Sequence, residues 1–269
     1  MTALRVVKPG LRSLIEDMGR PGFARLGIAA SGAYDRGALL AANAAVGNPP
    51  QAAGIECVLG GLVLAAQGSC VVALAGTDAE GSGRPVELPN GETIAIARPR
   101  HGLRVYLAVA GGLAVQPVLG SRSRDTMSGI GPAQLREGDL LPVGTAATAG
   151  VQGPPIARTD IQQKRDLAAG HRVIEVVPGP HDDLLVKGID GLFSESWIVS
   201  PQSDRVGLRL IDSHAHGTVP AANIRPGSSS LPSEPTLRGA VQVSPSGELL
   251  IIGPDGPTTG GYPVVAVVC

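Results

Sequence analysis

Short apolar runs separated by glycine, proline and asparagine set the rhythm of this chain, and they predict many short strands. Residues 4–7 read as a strand closed by a Pro9-Gly10 turn. Residues 35–46 (DRGALLAANAAV) carry the clearest helical pattern, with Asp35 placed to cap the first turn and Gly47-Asn48-Pro49 placed to end it. Strands are expected at 55–58, 62–65, 71–75, 93–97 and 105–110. Gly60-Gly61, Asn90-Gly91 and Gly111-Gly112 punctuate them. Residues 145–170, rich in Ala, Gly, Pro and polar groups, read as a connection. Beyond it, strands are expected at 173–177, 197–200, 206–211, 240–243, 249–252 and 264–268. A short helix is expected at 184–193 and an exposed loop at 224–233. Regular short strands with few helices point to a mainly β protein made of paired β-barrel modules.

The order of small motifs suggests a diverged duplication. Ala30-Ser31-Gly32-Ala33-Tyr34-Asp35-Arg36 is echoed by Ser200-Pro201-Gln202-Ser203-Asp204-Arg205, with the Asp-Arg pairs 169 positions apart (35 to 204). Gly10 is answered by Gly179, Glu56 by Glu234, and Gly76-Thr77-Asp78 by Gly253-Pro254-Asp255, in the same order. We therefore expect a first module over residues 1–150, a connection over 151–170 and a second module over 171–269. Two such modules facing each other would line a cleft with matched charges.

Composition narrows the chemistry. The 269 residues include 38 Gly and 23 Pro, and only 2% are aromatic, so Val, Leu, Ile and Ala must fill the core. A net charge of −1 with no basic block argues against nucleic acid. No apolar run approaches membrane-spanning length, and the first residues lack a signal-like apolar region, so a cytoplasmic protein is expected. Cys57, Cys70 and Cys269 are an odd set without CxxC spacing. Cys57 and Cys70 sit in apolar runs and read as buried free thiols.

Several chemistries have no sequence signature here: there is no GxxxxGK phosphate loop, no GxSxG elbow and no Met-Lys-Met biotin site. Gly81-Ser82-Gly83 and Gly129-Ile130-Gly131 are turn glycines. His214-Ala215-His216 could put two imidazoles on one strand face, but a third ligand is lacking, so no metal is expected. His181-Asp182-Asp183 could present carboxylates at a site or cap the helix after it. The Asp-Arg pairs are the leading candidates. An Arg fork matches carboxylate, phosphate or urea-like oxygens, and the neighbouring Asp could hold it; a structural pair fixing a turn is the alternative. Candidate acid–base groups are Asp35, Asp204, Glu56 and Glu234, with a turn clamp as the other reading of each Glu. Candidate substrate or phosphate contacts are Arg36, Arg205, Arg122, Ser31, Gln202, Thr259 and Tyr262. Arg122 and Arg124, interleaved with serines, could cradle an oxyanion or lie in a solvated loop.

These segments also carry a family resemblance. The stretches EDMGRPGFARLGIAASGAYDRGALLAANAAVGNP, IECVLGG, YLAVAGGL, VLGSRSRDTMSG, VVPGPHDD, VSPQSDRVGLRL, SEPTLRGAVQV and TTGGYPVVAVV run in order along nearly the whole chain. In them the chain resembles the C-type subunit of the bacterial ATP-dependent 5-oxoprolinase, also called the allophanate hydrolase subunit 2 or urea amidolyase-related carboxyltransferase-domain family. Gly256-Pro257 departs from the family, which usually has a basic or polar pair there. The resemblance implies cyclophilin-like β-barrels and a part in opening the lactam of 5-oxoproline to glutamate. It also implies ATP with Mg as co-substrate. Two partners follow from it as well: a B-type subunit, homologous to the other half of the carboxyltransferase, and an A-type subunit. The chain alone would then be nearly inactive. Two other readings stay open: carboxyl transfer to a urea-like amide with biotin supplied by another protein, and a regulator that binds an inhibitor of a sensor kinase.

Overall fold

The computed structural model describes residues 2–76, 83–145, 173–194, 196–212, 224–225 and 231–269. Among them are seventeen strands and two α-helices, so the protein is mainly β. The chain divides into two compact units. The first comprises Met1–Arg20, Ser31–Asp125 and Gly129–Gln163; the second comprises Pro21–Ala30, Thr126–Ser128 and Lys164–Cys269.

The first unit holds two antiparallel sheets. One has β1 (Ala3–Pro9) between β4 (Leu62–Gln67) and β9 (Leu140–Pro142), with β7 (Thr93–Ala95) outside β4. The other runs β2 (Arg12–Glu16), β3 (Gly54–Val58), β8 (Arg104–Val109), β5 (Cys70–Gly76), β6 (Pro85–Leu88). Alternation along β5 and β8 separates two cores. Val72, Leu74, Val105 and Leu107 join Leu4, Val6, Leu62 and Leu64 in one cluster lined by both sheets. The intervening Ala73, Ala75, Tyr106 and Ala108 face α1 (Arg36–Ala45) through its Ala38, Leu39 and Ala42. Small side chains on both partners let helix and sheet approach closely. Gly54 carries the same logic further, because a Cβ there would lie 2.7 Å from the Leu107 carbonyl oxygen and 3.0 Å from Leu39 Cδ1.

The helix forms where the sequence places it. Asp35 is extended at the N-cap and accepts the Ala38 N–H at 2.9 Å. Val46 closes the last turn and Gly47, at φ 72°, turns the chain away.

The second unit has a six-stranded antiparallel sheet. Its order is β10 (Val176–Pro178), β17 (Val264–Val268), β14 (Ala240–Val243), β15 (Leu249–Ile252), β12 (Gly207–Asp212), β11 (Trp197–Val199). Val241, Val243, Leu249 and Val265 form its core with Leu185 and Leu210. A separate two-stranded ribbon pairs β13 (Glu234–Pro235) with β16 (Thr259–Gly260).

Three expectations need correction. The strand expected at 173–177 begins only at Val176, because its partner β17 runs out: Val176 faces Val268, and Cys269 N–H closes the edge on the Glu175 carbonyl. The helix expected at 184–193 is a 3-10 turn at Asp182–Leu184 followed by α2 (Gly188–Phe193). Cys57 is buried as expected, but Cys70, at the start of β5, is only half-buried. Burial pushes both thiols above the ordinary cysteine range. The expected connection at 151–170, Asp78, Gly81-Ser82 and His214-Ala215-His216 lie outside the described residues, as does the middle, 226–230, of the loop expected at 224–233. Among the described residues no helix is long and apolar enough to cross a membrane.

Candidate functional site

The Asp35–Arg36 turn of the first unit is built on a buried polar network. Glu56 lies in the middle of β3, fully buried. A carboxylate there needs donors: Tyr106 OH at 2.6 Å and Tyr34 N–H at 2.9 Å donate to Oε2, and Arg104 Nε at 3.2 Å donates to Oε1. Tyr106 is opposite Glu56 in the β3–β8 register. Its oxygen in turn accepts the Asp35 N–H at 2.8 Å. The Arg104 guanidinium stacks over the Tyr34 ring at 3.8 Å. Burial, reinforced by the Glu56 charge, raises the Tyr106 phenol well above its ordinary range, so Tyr106 stays a donor. The network clamps the start of α1. Asp35 caps that helix, and Arg36 extends into solvent.

The Ser121–Arg124 loop does not form the open oxyanion cradle that its interleaved serines and arginines suggest. Its hydroxyls are taken by Asp17. Asp17 Oδ1 accepts from Ser121 Oγ at 2.6 Å, Ser123 Oγ at 2.7 Å and Gly19 N–H at 2.8 Å; Oδ2 accepts the Arg122 N–H at 2.6 Å. Asp17 N–H donates back to Ser123 Oγ, and Arg20 Nη2 donates to the Ser123 carbonyl. Gly131 fits because a Cβ there would overlap that same carbonyl oxygen. Arg122 donates Nε to the Val115 carbonyl at 2.7 Å, which orients a half-buried guanidinium. Arg124 Nη1 donates to Gly129 O at 2.6 Å. Ser31, buried and at φ 55°, donates Oγ to the Arg124 carbonyl.

In the second unit the expected Asp204–Arg205 pairing gives way to a longer-range one. Arg205 is fully buried and forks onto Asp255, with Nε to Oδ2 at 2.8 Å and Nη2 to Oδ1 at 3.1 Å. Thr126 adds its N–H and Oγ1 to Asp255 Oδ2, at 2.9 and 2.7 Å. Asp204 instead turns to the backbone, accepting the N–H groups of Val206 and Gly207. Gln202 is exposed, and its N–H is held by Ser200 Oγ. The two Asp-Arg turns therefore differ: Arg36 is exposed and Arg205 buried, Asp35 caps a helix and Asp204 a turn.

His181 and Glu234 do come together in this unit, with Thr259 on the same ribbon. Glu234 and Thr259 lie on the two strands of the β13–β16 ribbon, where Glu234 faces Gly260 and Pro235 faces Thr259. Gly260 admits the ribbon, since a Cβ there would lie 3.0 Å from Gln242 Nε2. His181, from the motif ahead of the 3-10 turn, places Nε2 3.5 Å from Glu234 Oε2. Its Nδ1 accepts the Val264 N–H at 3.1 Å, and its own N–H donates to the Val264 carbonyl at 3.0 Å. Tyr262 is exposed beside this ribbon in sequence, its carbonyl 3.5 Å from Gln242 Nε2.

Sequence reasoning missed Asp17, Tyr106 and His181 as partners. A signal existed for the first two: a charged residue inside an apolar strand (Glu56 in IECV) or before a glycine turn (Asp17) demands buried donors. No local pattern tells where those donors come from. Among the described residues no group of three or more His, Cys, Asp or Glu could hold a metal ion.

The comparisons with known proteins agree with this architecture. The family model of the carboxyltransferase domain, subdomain A and B, matches residues 26–269. The chain belongs to this carboxyltransferase-domain family. It is 34% identical to the 5-oxoprolinase C subunit of Escherichia coli (strain K12) over 277 residues, covering 98% of this chain and 84% of that protein. Among solved structures, the K. lactis urea amidolyase matches with a TM-score of 0.82 at 29% identity, over 99% of this chain and 17% of that one. The crystal structure of TTHA0988 matches with a TM-score of 0.77 at 34% identity, over 100% of this chain and 52% of that one. The chain thus spans about half of the TTHA0988 chain and a much smaller share of the urea amidolyase.

Proposed function

We propose that this chain serves as the C-type subunit of an ATP-dependent 5-oxoprolinase, opening the lactam of 5-oxoproline to glutamate. The observation that carries this reading is the likeness to the Escherichia coli 5-oxoprolinase C subunit, which extends over 98% of this chain and 84% of that protein. A lactam carbonyl is a poor electrophile. Transfer of the ATP γ-phosphoryl to its oxygen activates the carbon; water adds there, the ring C–N bond breaks as the nitrogen takes up a proton, and a second water hydrolyses the resulting acyl phosphate to the carboxylate and inorganic phosphate. ATP with Mg is the co-substrate, and A-type and B-type subunits complete the site in a cytoplasmic complex, so the chain alone is nearly inactive.

Geometry redistributes the roles among its residues. Arg205, Glu56, Asp35 and Asp204 are engaged in structural pairings and Ser31 is buried, which leaves the exposed Gln202, Glu234, Thr259, Tyr262 and Arg36 as the groups open to substrate. Arg122 joins them: its Nε is anchored, and among the described residues no hydrogen bond takes up its Nη atoms. The test is glutamate formation from 5-oxoproline and ATP with this chain and its A-type and B-type partners, each component left out in turn. Glutamate in the complete mixture alone is expected; no glutamate in any mixture would remove the reading.

A second reading is carboxyl transfer to a urea-like amide, favoured by the TM-score of 0.82 to the K. lactis urea amidolyase. With no Met-Lys-Met in this sequence, biotin would arrive on another protein. Carboxybiotin-dependent carboxylation of urea by the mixture, without ATP-driven glutamate release, would select it.

A further inference from the structure

The contact between His181 and Glu234 has an unusual composition for a surface pair. Its imidazole is not free to choose a tautomer. Nδ1 receives the Val264 N–H, so that nitrogen presents its lone pair and the neutral ring carries its proton on Nε2. The main chain of His181 is tied to the same residue through the Val264 carbonyl, so ring and backbone are both registered on β17. The proton-bearing Nε2 faces Glu234 Oε2 at 3.5 Å, near enough for attraction and too long for a good hydrogen bond. Among the described residues no hydrogen-bond donor reaches the Glu234 carboxylate. The His181 side chain is 17% exposed and that of Glu234 52%, so the edge they share meets solvent. An exposed pair of this kind contributes little to stability, roughly 0–1 kcal/mol, and does not by itself account for so oriented a ring.

What remains on that edge is one neutral N–H donor beside one anionic acceptor, each without a close partner. We propose that His181 and Glu234 form a receptor for a cis-amide edge, in which a C=O and an N–H point to the same side, as they do in a lactam. The lactam oxygen accepts from His181 Nε2, and the lactam N–H donates to Glu234. A neutral imidazole donor suits a carbonyl on which negative charge develops, because its proton is already in place. The acceptor gives selectivity, since a carboxylate left facing an N-alkyl group loses its bond without replacement. This inference rests on the lactam reading above and adds where on the chain the ring is held.

The decisive experiment follows the His181 ring nitrogens by NMR in nitrogen-labelled protein, alone and with its unlabelled A-type and B-type partners. The His181→Gln variant identifies the signal among the five histidines. The Nε2–H tautomer is expected in the free protein. Addition of 5-oxoproline or 2-pyrrolidinone should shift Nε2, and N-methyl-2-pyrrolidinone, which lacks the N–H, should not. Equal shifts with all three, or none with and without the partners, would overturn the receptor. In the reconstituted complex, Glu234→Ala should lower kcat/KM for 5-oxoproline about 10–100-fold, mainly through KM, with partial recovery in Glu234→Gln, whose amide oxygen still accepts. Wild-type kcat/KM in Glu234→Ala would also overturn it. A wild-type complex that makes no glutamate would remove the oxoprolinase reading instead, while the titration still decides whether this edge receives a lactam.

Discussion

Arg205 and Asp255 meet through two charge-assisted hydrogen bonds, 2.8 and 3.1 Å long, with both side chains fully buried. Fifty positions separate them, and their contact joins the turn before β12 to the turn after β15. Removing one partner leaves the other charged and desolvated. Arg205→Ala or Asp255→Ala should each destabilise the protein by about 3–5 kcal/mol, measured by urea denaturation. The double variant Arg205→Met with Asp255→Leu should recover much of that loss. If Arg205→Ala lowered turnover without lowering stability, a substrate-binding role would replace the structural one.

Asp17 is held by neutral dipoles rather than by a cation. Asp17→Ala leaves two serine hydroxyls and two N–H groups without their acceptor, at a cost on the order of 3 kcal/mol or more. Asp17→Asn should cost less, because one side-chain oxygen remains. Urea denaturation ranks the two variants, and equal midpoints would contradict the donor cluster.

The Tyr106 phenol should make stability fall in alkali. Its proton is held more tightly in the folded protein than in the unfolded chain. The folded state therefore binds more protons above the ordinary tyrosine range, and ΔG of unfolding declines as pH rises through and beyond about 10. Below that range the contribution is fully present. In Tyr106→Phe this part of the slope should vanish, while stability at neutral pH drops by about 1–3 kcal/mol because Glu56 and the Asp35 N–H lose their shared partner. Denaturation at neutral and alkaline pH measures both effects.

Asp35 separates a cap from a catalyst. As a cap, Asp35→Asn should retain both stability and turnover in the reconstituted mixture, and Asp35→Ala should cost about 1 kcal/mol with turnover retained. As a general base, either variant would lose roughly 100-fold or more in kcat.

The three thiols should react in order of exposure. Cys269 is exposed and should modify first, Cys70 more slowly, and Cys57 only on unfolding. Thiol titration with and without denaturant checks the sequence of events.

Local pattern carried much of the fold. The strands at 240–243, 249–252 and 264–268 form over those residues, and the helix at 35–46 matches α1 with its cap and C-cap included. The strands at 249–252 and 264–268 are uninterrupted apolar runs, the one at 240–243 is broken only by Gln242, and the helix has its own start and stop signals. The β2 strand RSLIE was not legible, because its polar ends look like turn residues until β3 supplies a partner in register. The site behaved likewise. Residue types in the Asp-Arg echo were readable, but Arg205 finds Asp255 rather than its neighbour, and His181 finds Glu234 far along the chain. Such pairings are set by strand register and loop closure, which no window of adjacent residues contains.

The placement of β1 bears on how the first unit comes into being. Leu4 pairs with Ala66 on one side and with Leu141 on the other. A ribosome must release the chain through Pro142 before the first strand gains its second neighbour, and Asp17 likewise stays hydrated until Ser121 and Ser123 emerge. β1 is thus made before either neighbour and sealed late. Nascent chains arrested short of Leu140 should carry an open sheet edge, the state in which a growing β protein is most in need of a chaperone.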